Sequence, residues 1–118
     1  MRKRLLSLLF LSLYGSMLFA QEPLDINDVE RVPLGDFTYQ WRNIYDRTPL
    51  HGKCRIILSY RSYTIAHFNK DGILDGLYEK YEDNHLVQKL TYVKGILRGK
   101  GYEYYTDGTV KKECVWNE

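Results

Sequence analysis

The chain has 118 residues, 44% of them hydrophobic and 27% charged, with two cysteines and a formal net charge of +2. That length fits one small domain. Arg2, Lys3 and Arg4 carry three of the 17 basic side chains; without them 14 basic groups face 15 acidic ones, a net of −1. A near-neutral chain lacks the electrostatic footprint of a nucleic-acid binder, and Lys111-Lys112 is too short to make a basic patch.

The first element, residues 1–20, reads as a signal peptide. Arg2, Lys3 and Arg4 form a basic start, Leu5 to Leu13 is apolar apart from Ser7 and Ser12, and Ala20 is a small residue at the cut. The rival reading is an uncleaved membrane anchor. Tyr14, Gly15 and Ser16 interrupt the apolar run, whereas a span wants about 18 clean apolar residues. The chain is therefore expected to be exported, periplasmic or secreted and bacterial, with membrane contact only if this segment is retained. Residues 21–36 are acidic around Asp25, Asp28 and Glu30 and are expected to be flexible. Phe37, Tyr39 and Trp41 alternate with Thr38, Gln40 and Arg42, the pattern of a half-buried strand. That strand is expected to cap the open N-terminal edge of an array formed by residues 44–118.

Residues 44–118 repeat. Phe68 to Gly76 reads FNKDGILDG and Tyr92 to Gly99 reads YVKGILRG; Ile44 to Gly52 is a degenerate copy. The closing glycines are Gly52, Gly76 and Gly99. After two of them come matching tracts, with Tyr78, Glu79, Tyr81 and Asp83 set against Tyr102, Glu103, Tyr105 and Asp107. Apolar and charged residues interleave around corners at Asp83-Asn84 and Asp107-Gly108, residue types that tolerate the positive φ of tight hairpin turns. Each unit therefore reads as a β-hairpin.

These residues resemble the MORN-repeat family, in its bacterial variant with a G-x-x-x-x-Y-x-x-N/D-G core and a G-x-L-x-G link. The likeness covers about three units. Asn84-His85 replaces the usual Asn-Gly corner, and the corner from Ser59 to Ser62 has no glycine. The resemblance implies an all-β fold: stacked antiparallel hairpins in one elongated, curved sheet. It also implies a binding or scaffolding role; similar proteins include antitoxin-like and exported ones.

The residues that carry chemistry point away from an enzyme. His51, His67 and His85 have no short-spaced ligand pair, whereas a metal site needs several converging ligands. No metal or other cofactor is expected. Glu79 and Glu103 occupy matched positions and are expected to stack on one side of the sheet, neutralised by neighbours such as Arg55. Ser59 and Ser62 lack the glycines of a nucleophile elbow. Cys54 and Cys114 fall five strand spacings apart in a regular meander, roughly 24 Å at about 4.8 Å each. A disulfide needs Cα atoms within about 7 Å, so both are expected to be reduced.

Tyrosines remain. Ala66 and Phe68, Leu90 and Tyr92, and Cys114 and Trp116 form a packing ladder at 24-residue spacing, while Tyr78, Tyr102 and Tyr104 share one strand parity. That trio is the expected binding surface, since extended repeat sheets bind through one face. The function read from the sequence is an exported, non-enzymatic module that binds an unidentified protein through a Tyr-rich sheet face. A structural, cell-envelope component that self-associates or touches membrane or cell wall is the alternative. Open sheet ends allow homo-oligomers.

Overall fold

A computed structural model describes residues 22–117. The signal-peptide reading of residues 1–20 lies outside the described residues. Among the described residues ten strands run in chain order: β1 (Leu24–Asp25), β2 (Val29–Gly35), β3 (Thr38–Asn43), β4 (Gly52–Ser59), β5 (Ser62–Phe68), β6 (Leu74–Glu82), β7 (His85–Val93), β8 (Ile96–Leu97), β9 (Gly99–Tyr104) and β10 (Val110–Trp116). The chain is all-β. The main sheet runs β1-β4-β5-β6-β7-β9-β10, with β8 paired to β7 beside that path, and β2-β3 form a second sheet. Every pairing is antiparallel except β1 with β4.

Local chemistry sets the corners. Asp83 (φ 51°) and Asn84 (φ 66°) form a two-residue loop between paired Glu82 and His85. Both central residues of such a turn need positive φ, and Asp and Asn accept it at low cost. The glycine-free corner at Tyr60-Arg61 closes differently. The register shifts between Ile57 and Ser59, so a bulge at Leu58 lets Ser59 meet Ser62. Arg61 then ties to the next corner, its guanidinium 3.0 Å from Asp83 Oδ1 and its carbonyl accepting from Asp83 N at 2.9 Å.

Strand alternation gives the main sheet two unlike faces. Cys54, Ile56, Thr64, Ala66 and Phe68 point inward and are buried, with Leu74 and Leu50 completing the core. The next strands continue this face: Cys54 pairs with Ala66, Ala66 with Tyr78, Tyr78 with Leu90 and Gly101 with Cys114. There the Trp116 ring and Leu90 lie over Gly101, where an added methyl would stand 2.5 Å from the indole.

The N-terminal segment differs from expectation. Residues 22–36 include β1 and β2, and Thr38–Asn43 pairs with β2 in the second sheet rather than extending the main sheet. β2 and β3 form a hairpin that packs on the inner face. Trp41 meets Phe68 with ring centroids 5.5 Å apart, and the Arg31 guanidinium lies over both Tyr39 and Trp41. Trp41 N donates to Gly72 O, Leu50 N donates to Trp41 O, and the Gln40 amide donates to Asp71 O. The edge of β4 is met instead by the two residues of β1. The physical reason is area. A lone sheet would leave Ile56, Ala66 and Phe68 wet, and each large apolar side chain contributes about 1.5–3 kcal/mol when buried.

Gly72 is the pinch point of this docking. Its φ is +79°, and a Cβ there would lie 2.6 Å from the Trp41 carbonyl oxygen. Gly108 has a similar φ of +92° with nothing within 4 Å. Gly108→Ala is expected to cost about 1 kcal/mol, the backbone penalty alone. Gly72→Ala should cost about 2 kcal/mol more, because backbone must move. Urea unfolding of the two variants measures the difference.

Candidate interaction face

The outer face begins with the residues between those that point in. Pairing sets Arg55 beside Ile65, Ile65 beside Glu79, Glu79 beside Lys89, Lys89 beside Tyr102 and Tyr102 beside Glu113, a single row across six strands. One row nearer the corners, Tyr63 opposes Tyr81. Their rings stack at 5.0 Å with 12° between planes, and the Arg55 guanidinium sits 4.3 Å from the Tyr63 centroid. Tyr102 and Tyr104, two apart on β9, stack at 6.0 Å. Burial, then the Glu79 charge and Tyr63, push the Tyr81 phenol above its ordinary range. Tyr81 therefore stays a neutral donor through physiological pH.

Of the residues expected to bind, Tyr102 and Tyr104 are brought together on this face. Tyr78 is not. It pairs with Ala66 and Leu90 on the inner face and meets Tyr92 edge-on at 5.9 Å. Burial pushes its phenol up, with the Thr64 hydroxyl and Arg31 pulling the other way. Tyr63 and Tyr81 take its place. Their direct opposition is set by the β5–β6 register, which shifts between Ala66 and Phe68. Glu79 and Glu103 likewise part: Glu79 lies beside Lys89 on the outer face, while Glu103 pairs with Gln88 and Lys112 on the inner.

At the corner end of this face, Arg55, Ile57, Tyr60, Tyr63, Asp83 and Asn84 border an open hollow of about 330 Å³. Tyr60 is 90% exposed there. Enzyme sites converge several polar groups within an enclosed pocket; here Arg61 and Asp83 are already paired with each other. Cys54 is buried and its thiol is pushed up by desolvation, the opposite of a nucleophile's environment. Cys54 and Cys114, on β4 and β10, are both thiols. The ring nitrogen Nδ1 of His67 lies 3.1 Å from the Leu77 carbonyl, and among the described residues no three His, Cys, Asp or Glu converge as metal ligands.

Phe37 is a further surface residue. The sequence pattern places it inside a half-buried strand, but it is 95% exposed at the β2-β3 tip with φ +68°, after Asp36 at +49°. Glycine or asparagine is the ordinary occupant of that turn position, and its run Gly35-Asp36-Phe37 is the signal that marks it.

Two outcomes separate these roles. Tyr78→Ala should cost about 3 kcal/mol in urea unfolding through lost core contacts, and Tyr102→Ser with Tyr104→Ser under about 1 kcal/mol. Phe37→Gly should raise stability by about 1 kcal/mol, by relieving the left-handed backbone. Comparison with protein-family models, with characterised proteins and with solved structures finds no match for this chain.

Proposed function

We propose that this chain is an exported, non-enzymatic module of MORN-variant hairpin repeats that binds another protein through the outer face of its main sheet. Tyr63, Tyr81, Tyr102 and Tyr104 are the contact residues. One observation carries the reading. The β2-β3 hairpin packs on the inner face over the core of β4, β5 and β6, while among the described residues no element outside the main sheet packs on the outer face with its stacked tyrosines.

Tyrosine suits this use. It offers a large rigid apolar ring at low entropic cost and a hydroxyl that hydrogen-bonds at the rim. Stacked rings with Arg55 beside them and Glu79 and Lys89 between them make a surface that is neither wholly apolar nor strongly charged, the composition of a non-obligate interface. A catalytic role lacks its usual support, since the Arg61 and Asp83 side chains at the hollow are tied to one another.

Affinity capture from the exporting host's envelope and secreted fractions provides the test. The full-length chain should retain a specific protein, and the same chain with Tyr102→Ser and Tyr104→Ser should lose it by at least about tenfold, as for a central aromatic anchor. Tyr45→Ser, at an exposed tyrosine outside the main sheet, should retain it. Equal retention by all three would overturn the assignment of the face.

A further inference from the structure

The main sheet has two edges of unlike fate. At one, β1 pairs with Ile56 and Ile57 of β4; on the other, β10 pairs with β9 and, among the described residues, with nothing on its far side. An exposed strand edge presents unpaired N–H and C=O groups and is a template for another strand. The first half of β10 is blunted. Lys111 sits at a bulge between Val110 and Lys112, and both lysines are exposed. Lys112 to Trp116 is regular and bare, with Val115 57% exposed.

Charge selects what can add there. Two copies of this stretch can pair antiparallel only about a two-fold axis perpendicular to the sheet, so one residue faces itself and neighbours face neighbours of equal parity. Centring on Lys112 opposes two ammonium groups, and centring on Glu113 opposes two carboxylates. Like charges directly opposite are destabilising. Centring on Cys114 opposes Glu113 to Val115 and Lys112 to Trp116. That register pairs all five residues and sets no like charges against each other.

We propose that β10 pairs with β10 of a second copy, antiparallel about a two-fold axis at Cys114. The two main sheets become one continuous sheet. The axis keeps like faces together, so both tyrosine faces lie on the same side. The two β9 strands, each bearing Tyr102 and Tyr104, stand three strand spacings apart, about 14 Å. The assembly is a two-fold platform rather than a single face. Glu113 reaches Lys100 of its own chain at 3.6 Å, so its carboxylate is already held on that side of the edge.

Sedimentation equilibrium on the chain expressed from its full sequence should show a reversible dimer. Val115→Glu sets a second carboxylate opposite Glu113 twice per dimer and should weaken association by roughly tenfold or more. Val115→Lys should leave it equal or tighter. Both changes are at an exposed position, and thermal unfolding of each variant checks that the fold is intact. Opposed strand residues stand about 4.5–5.5 Å apart at Cα, within disulfide range. Oxidised glutathione should therefore join the two Cys114 thiols, one S–S bond forming as two glutathione thiols leave with the electrons and protons. In a Cys114→Ser background, Glu113→Cys mixed with Val115→Cys should cross-link, and Glu113→Cys alone should not. A monomer at every concentration, a dimer indifferent to both Val115 changes, or self-cross-linking at position 113 would overturn the proposal.

Discussion

The contact between Trp41 and Phe68 decides how this small chain uses its apolar surface. The two rings meet at 5.5 Å where the β2-β3 hairpin lies on the main sheet. Around them Leu24, Ile26, Val29 and Leu50 close over Cys54, Ile56 and Ala66. A meander of this length has only one layer of its own and buries little by itself. Without the hairpin, its inner face would be as wet as its outer one. With it, the sheet acquires a core side and a free side, and the proposed binding role depends on that asymmetry.

The docking is held by backbone as much as by rings. β3 lies beside the loop at Gly72, Trp41 N donating to the Gly72 carbonyl while the Trp41 carbonyl accepts from Leu50 N. Thr38 packs at Gly95, the next loop along, where a methyl would stand 2.9 Å from its Cγ2. Two of the glycine-bearing links between hairpins thus serve as seats for the N-terminal hairpin as well as turns in the meander. Ion pairs add little to this: Arg61–Asp83 and Lys100–Glu113 are exposed, and such pairs are worth about 0–1 kcal/mol. Glu30–Arg42, at 2.6 Å with the carboxylate 32% and the guanidinium 24% exposed, ties β2 to β3 more firmly.

Much of the fold is legible in the sequence, for physical reasons that can be named. Asp83-Asn84 announces its turn because both residues tolerate positive φ. Ala66, Phe68, Leu90, Tyr92, Cys114 and Trp116 share the inner face as the packing ladder suggests, because Ala66 and Leu90 both lie beside Tyr78 and Leu90 and Cys114 both lie beside Gly101. The faces of the tyrosines are harder. Matching residue types sets Tyr78 against Tyr102, but counting from the closing glycines Gly76 and Gly99 sets Tyr78 against Gly101. The structure agrees with the glycines: Leu90 lies beside both Tyr78 and Gly101. A slip of one residue sends a side chain to the other face, and that slip is the whole of the error over Tyr78, and over Glu79 and Glu103. The hairpin β2-β3 is illegible for a different reason. Its first strand, Val29 to Gly35, mixes Glu, Arg and Pro with Val and Leu, and gives no clean alternation to read.

The face assignment rests on which tyrosines meet water. Nitration of the folded full-length chain with tetranitromethane, tracked site by site by mass spectrometry, measures this directly. Modification needs an accessible ring and is favoured by the phenolate. Tyr102 and Tyr104 should react early, as should exposed Tyr60, while Tyr78 and Tyr92, packed against the core, stay protected until the chain unfolds. Tyr78 reacting as fast as Tyr102 in the folded chain would contradict the account, because the inner face would then be open and the outer face would hold no special place.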